Sequence, residues 1–500
     1  MVDARDVKSH VGRRLTSLSA LLAEELEMHW NAYARVAVPA PTGTTLKLAS
    51  LIRVVASQVP HQERATEAIA AVLDLTLVLE GLDLEDVSET EGAVHGPILD
   101  WVRVLTVGNM YPPHHYGGYE LVWRSAVEHL LRRGHEVRVL TTNMRTASLE
   151  PDPPHVYREL RWHLRDGEFQ RLGVRARAAM ARHNHRVLAQ HLDELGPGIV
   201  GWWSMGGLSP TLLEEVRRRR IPAVAFVHDD WLAYGPAVDP WLRLFCGRRH
   251  RLTNVAQRLA GIPTTVDFSS AATYWFVSEF TRERALGLGL GLQETGVAHS
   301  GIHPDFLDAT LTQPWQWRVL YVGRIDSRKG VDTVVEALVH LPAAAGLTIV
   351  GGGDPREEQR LRSLAVRLGV DDRIEFAGQR NRDDLLAVYA NADAVVFPVR
   401  WHEPWGLVPL EAMARGCPVV ATGRGGSGEY LRHQENCLLF PADDPQACAG
   451  ALRRLAADPD LRATLRQGGL DTAGRHTAAR FDEAVERAIL EKVPAEVAGA

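Results

Sequence analysis

Cysteine is scarce in this chain, with four in 500 residues: Cys246, Cys417, Cys437 and Cys448. None stands at a metal-ligand or redox spacing from another, which excludes zinc ribbons and thioredoxin-like sites. Cys417 and Cys437 fall inside apolar, strand-like runs and read as small buried hydrophobes. A reducing, cytoplasmic setting fits this usage. Long hydrophobic runs are also missing, so no segment is expected to span a bilayer. The opening MVDARDVKSHVGRR is not followed by the apolar core and cleavage site of a signal peptide. Nor is there an excess of one charge. A net charge of −6 is mild and argues against nucleic acid as a main partner.

What is present is length and alternation. Five hundred residues exceed one ordinary core, so two or three domains are expected. Residues 1–95 form a block with helix-like apolar spacing (Leu15, Leu18, Leu22, Leu26) and an acidic, turn-rich end, and read as a helical extension. From Val102 the pattern becomes strand, loop, helix, strand: VRVLTVGN, then GGYELVWRSAVEHLLRRG, then EVRVLTTN. Further strands are expected at 199–203, 223–229 and 273–278, within a domain spanning 101–308. A second alternating domain, 315–475, carries strands at 318–323, 347–352, 373–378, 394–399, 418–422 and 437–440. The class is α/β, two tandem Rossmann-like doubly wound domains with a site in the cleft between them. Residues 476–500 read as a C-terminal helix that returns toward the first domain.

The densest signal is EPWGLVPLEAMARGCPVVATGRGG, residues 403–426. Glu403 and Glu411 are separated by seven residues. Gly406 lies between them, ahead of an apolar helix pattern. A helix starting there turns the free amides of Gly406, Leu407 and Val408, and its positive dipole end, toward an anion. Glu411 lies about one and a half turns along that helix, placed to accept hydrogen bonds from sugar hydroxyls. The run resembles the signature of the retaining glycosyltransferases of family four, which have the GT-B fold. The resemblance covers roughly residues 101–490. It implies that Glu403 faces the donor-sugar hydroxyls and that Glu411 binds the nucleotide ribose. Front-face attack and double displacement on Glu403 both stay open. Trp405 stands where the family often has Phe, and Trp401 and His402 are unusual residues that bear on donor choice.

YVGRIDSRKG, residues 321–330, adds Arg324 and Lys329 on a loop after a strand. Two cations there can clamp two phosphates, and the resemblance gives them that role toward a donor diphosphate. The acidic doublets Asp229-Asp230, Asp371-Asp372, Asp383-Asp384 and Asp443-Asp444 are adjacent pairs in turn or cap positions, so no essential metal and no cofactor are expected. In MYPPHHYGGYE, Gly117 and Gly118 precede a helix. They form either an ordinary tight turn or, as the resemblance implies, a loop closing over the donor. His114 and His115 share that loop. His228 ends the apolar strand of FVHDDW. The resemblance places it near the reacting centre. The adjacent Asp229 is the carboxylate expected to orient its ring.

Eight arginines between Tyr157 and Arg186 read either as a solvated helical face or as a peripheral membrane contact. The expected activity is metal-independent transfer of a sugar from a nucleoside-diphosphate sugar to the hydroxyl of an unidentified acceptor. A sugar-nucleotide epimerase and a non-catalytic sugar-nucleotide-binding scaffold are the alternatives.

Overall fold

The computed structural model describes residues 101–493, apart from 147, 149, 166–167, 246–256, 258–260 and 308–313. The helical extension expected at 1–95, and Cys246, lie outside the described residues.

Two parallel sheets organise the chain. The first runs β3-β2-β1-β4-β5-β6-β7 and comprises β1 (Arg103–Val107), β2 (Glu136–Thr142), β3 (Val156–Leu160), β4 (Ile199–Trp202), β5 (Ala223–Val227), β6 (Thr273–Phe276) and β7 (Thr295–Val297). Its main helices are α1 (Gly118–Arg132), α2 (Val174–Leu195), α3 (Thr211–Arg218), α4 (Trp231–Val238) and α5 (Glu279–Leu286). The second sheet runs β10-β9-β8-β11-β12-β13 and comprises β8 (Arg318–Val322), β9 (Gly346–Val350), β10 (Ile374–Gly378), β11 (Ala394–Phe397), β12 (Val419–Ala421) and β13 (Leu438–Leu439). It is flanked by α6 (Val331–Ala337), α7 (Pro355–Leu368), α8 (Arg382–Asn391), α9 (Leu407–Ala414), α10 (Pro445–Ala457) and α11 (Pro459–Arg475). A last helix, α12 (Ala478–Leu490), follows.

Central parallel strands are covered on both faces, which is why they read as continuous apolar runs. In β1, Val104 faces the core under α1 and α12, while Leu105 and Val107 face the core under α2 and α3. In β8, Val319 and Tyr321 pack toward α6, α7 and α10, and Leu320 and Val322 pack toward α9. Cys417, Cys437 and Cys448 are free and buried, and burial pushes each thiol up to about 12.

The chain crosses between the two sheets twice, and the crossings touch. Ile302 N–H donates to His476 O at 3.0 Å, and Ala478 N–H donates to Ile302 O at 2.8 Å. Past this crossing, α12 lies on α1 of the first sheet. Ser125 Oγ donates to Asp482 at 2.7 Å, and Phe481, Val485 and Ile489 enter the core there.

The basic stretch 157–186 is not one helical face, which corrects that part of the sequence reading. It divides among β3, a short hairpin (164–165 with 168–169) and the first half of α2. Arg158 is turned inward by its ion pair with Asp152 (2.7 Å) and its bond to Tyr111 O (2.7 Å), and Arg177 binds Leu172 O. Among the described residues, no helix is long and apolar enough to cross a membrane.

Candidate active site

The strand order of the second sheet reverses between β8 and β11, and the loops leaving their carboxyl ends carry the candidate residues. Such a switch point opens a crevice, the usual ligand position in doubly wound sheets. After β8, the Tyr321 hydroxyl donates to Arg324 O at 2.8 Å and shapes the turn. Asp326 then caps a short 3-10 turn and pairs with both Arg324 (3.3 Å) and Arg328. Burial raises the Asp326 carboxyl, but the two arginines win and bring it to about 2. It therefore stays charged and holds the Arg324 guanidinium, which is half exposed. Gly330 ends the loop at φ +68°, and a Cβ there would lie 2.2 Å from Pro398 O, so only glycine lets the two loops pass this closely. Arg400 N–H donates to Arg328 O at 3.0 Å and ties them together.

Lys329 and Glu403, 74 residues apart in sequence, meet here. Lys329 Nζ lies 2.7 Å from Glu403 Oε2, with both side chains mostly buried (15% and 12% exposed). The indole N–H of Trp401 donates to the same oxygen at 2.7 Å. The backbone of Glu403 is anchored as well, accepting from Gly426 N–H at 2.7 Å.

Helix α9 starts at Leu407 with Gly406 as its N-cap, at φ +88°. Gly406 offers no capping side chain, and Pro409 has no N–H, so the amides of Leu407 and Val408 are the donors at this terminus. Glu411 is part-buried on α9. Burial pushes its carboxyl up, partly offset by a 2.8 Å hydrogen bond from the Tyr389 hydroxyl.

The first sheet supplies the opposite wall. Gly118 sits beside the Leu407 side chain, where an added Cβ would lie 3.6 Å from Leu407 Cδ1. This places the Gly117–Gly118 turn next to the α9 terminus. The Gly117 N–H donates to Glu120 Oε2 at 3.1 Å. Burial pushes the Glu120 carboxyl up to about 7, against the pull of backbone amides and of Arg324. His228, just after β5, stacks on Tyr119 at 4.3 Å, and its Nε2 lies 2.8 Å from Ser300 Oγ. Burial pulls its pKa down to about 3, so the ring is neutral at physiological pH. Ser300 O accepts from Trp405 Nε1 at 2.8 Å, a bond that Phe cannot make. Ser300 thus links His228 on one wall to the Glu403 loop on the other.

The remaining sequence candidates serve the backbone or neighbouring side chains. Asp229 accepts from Trp231 N–H and from the Tyr234 hydroxyl, and no bond joins it to the His228 ring. Asp444 caps α10, and Asp383 and Asp384 open α8. His114 is buried, with its ring nitrogens against Thr146 and Arg145. Sequence reasoning missed Glu120, Tyr389 and Ser300. Only Glu120 had a local signal, as a carboxylate three residues after a helix cap.

The sequence family described as glycosyl transferases group 1 matches residues 308–471, and glycosyltransferase family 4 matches residues 116–306. The chain belongs to the group 1, family 4 glycosyltransferases. Among curated relatives of these glycosyltransferases, the D-inositol 3-phosphate glycosyltransferase of Salinispora arenicola is 41% identical over 160 residues, which is 30% of this chain and 36% of that protein. The chain spans less than half the length of the first curated relatives it matches. The solved sucrose-phosphate synthase of Thermosynechococcus elongatus is 22% identical with a TM-score of 0.60, covering 78% of this chain and 98% of that one. HepE of Anabaena, solved in complex with UDP-glucose, is 20% identical with a TM-score of 0.56, covering 78% and 100%. These structural likenesses establish the GT-B glycosyltransferase fold.

Proposed function

We propose that this glycosyltransferase moves a sugar from a nucleoside-diphosphate sugar to the hydroxyl of an acceptor, with retention and without a metal. The observation that carries the proposal is the convergence of Arg324, Lys329, Glu403 and the α9 amides at one switch point, facing the Gly117–Gly118 turn. Breaking a glycosidic bond to a diphosphate builds negative charge on the leaving group. Two cations and a helix terminus stabilise that charge where it develops, each well-placed donor contributing roughly 3–4 kcal/mol. Glu403 holds the donor-sugar hydroxyls, and Glu411 receives the ribose. Neutral His228 offers a hydrogen bond near the reacting centre without adding charge. UDP-glucose in the Anabaena neighbour supports a nucleotide-sugar donor.

A thermal-shift screen against UDP-, GDP- and ADP-sugars tests this, since a ligand bound only by the folded state raises its melting temperature. A shift with a sugar nucleotide, retained in EDTA, is expected. No shift with any of them, or a strict need for added Mg²⁺, refutes the respective part.

A further inference from the structure

Trp401 contacts the clamp at a point that the proposed sugar transfer does not use. Its indole N–H and the Lys329 ammonium donate to the same atom, Glu403 Oε2, each at 2.7 Å. Its ring also lies under two of the three cations of the loop, with the Arg328 guanidinium 4.7 Å and Lys329 Nζ 5.3 Å from the centroid. One partly buried ring therefore touches the carboxylate and two cations at once.

On the reading proposed above, Lys329 and Glu403 have different tasks. Lys329 turns to a diphosphate, and Glu403 to the hydroxyls of a sugar. An entering diphosphate draws the ammonium away and sets new negative charge beside a carboxylate that has just lost its ion-pair partner. A cationic donor in place of Trp401 would be drawn to the phosphates as well. An indole is a donor only, carries no charge, and sits on a rigid two-torsion side chain. It keeps Glu403 Oε2 in place while Lys329 moves, which leaves Oε1 to meet the sugar. We infer that Trp401 is a positioning residue for sugar recognition, holding Glu403 against the donor sugar independently of the diphosphate clamp.

Calorimetry with UDP, GDP and ADP, and with UDP-glucose, GDP-mannose and ADP-glucose, separates the two halves of the ligand. The sugar preference is the ratio of affinities for a sugar nucleotide and its bare diphosphate. W401F keeps an aromatic face for the cations and removes the N–H. It should lower the sugar preference about fivefold, the worth of one hydrogen bond, while bare-diphosphate affinity stays within about twofold. W401H, which restores a ring N–H, should recover part of the preference, and a merely structural role would not show this rescue. An unchanged preference in W401F, or an equal loss for both ligands, overturns the inference and leaves the proposed function standing. A wild-type protein that binds none of the six probes overturns both.

Discussion

The hydroxyl of Tyr389, on α8, donates a 2.8 Å hydrogen bond to Glu411 Oε2 on α9. The bond joins two helices on one side of the second sheet and gives a carboxylate at the candidate ribose position a fixed direction. Burial raises the Glu411 carboxyl, and this hydroxyl is the first contact that opposes the rise.

Tyr389→Phe removes that donor and leaves the carboxylate part-buried. Stability should fall by about 1–2 kcal/mol, the cost of a buried acceptor without its partner. Affinity for a nucleoside diphosphate should fall several-fold, because the carboxylate loses both its orientation and support for its charged form. Urea unfolding and calorimetry on the same variant check the two effects.

Glu120 supplies a pH dependence with a definite sign. Burial takes its pKa from 4.5 to about 7, so the folded chain keeps a proton that the unfolded chain releases. Its contribution to stability is complete below the unfolded value and is lost as pH rises through 7. Glu120→Gln keeps an oxygen for the Gly117 N–H but removes the charge. The variant should be more stable than wild type at pH 8 by about 1–3 kcal/mol, and nearly equal to it below pH 5. Nucleotide binding by wild type should weaken as pH rises through 7, since an ionised Glu120 adds negative charge near Arg324, and the variant should lack this slope. Denaturant midpoints and nucleotide affinities measured from pH 5 to 8 test both statements.

Glu486 on α12 joins the ends of the described chain. It meets His129 at 2.7 Å, Arg133 at 3.0 Å and His135 at 3.4 Å. Burial raises its carboxyl, but these three partners outweigh burial and hold it below the usual range. The stability it contributes is present above its unfolded pKa and is lost as pH falls through the folded value. Glu486→Gln should cost about 2–4 kcal/mol at pH 7, with the difference shrinking toward acid pH. Asp482, one turn earlier, has the opposite sign. Burial pushes it up to about 6 despite Ser125, so its contribution is lost as pH rises through 6, and Asp482→Asn should be neutral or stabilising at pH 8. Guanidinium unfolding at pH 5, 6.5 and 8 distinguishes the two residues.

Local pattern was enough to locate most strands. RVLYV, AVVF and AVAFV are apolar on both faces because both faces of a central parallel strand are covered, and no partner need be known to see that. Val156–Leu160 and Thr295–Val297 escaped notice because they are edge strands, half exposed and mixed in polarity. The basic stretch misled for a related reason. A count of arginines does not show which are spent inside, as Arg158 is on Asp152 and Tyr111 O.

The order of residues alone determined two alternating α/β domains, the glycine-led helix that carries Glu411, and the cations Arg324 and Lys329. Each of these is written within ten or so neighbouring residues, in hydrophobic period and turn chemistry. Tertiary structure alone decided that Lys329 and Trp401 share one oxygen of Glu403, that Tyr389 holds Glu411, and that Ser300 joins His228 to the Trp405 loop. Those contacts depend on which strands become neighbours at the switch point and on how two loops cross. Sheet order and chain crossing are set by the packing of whole helices and strands, and no local run of residues records them.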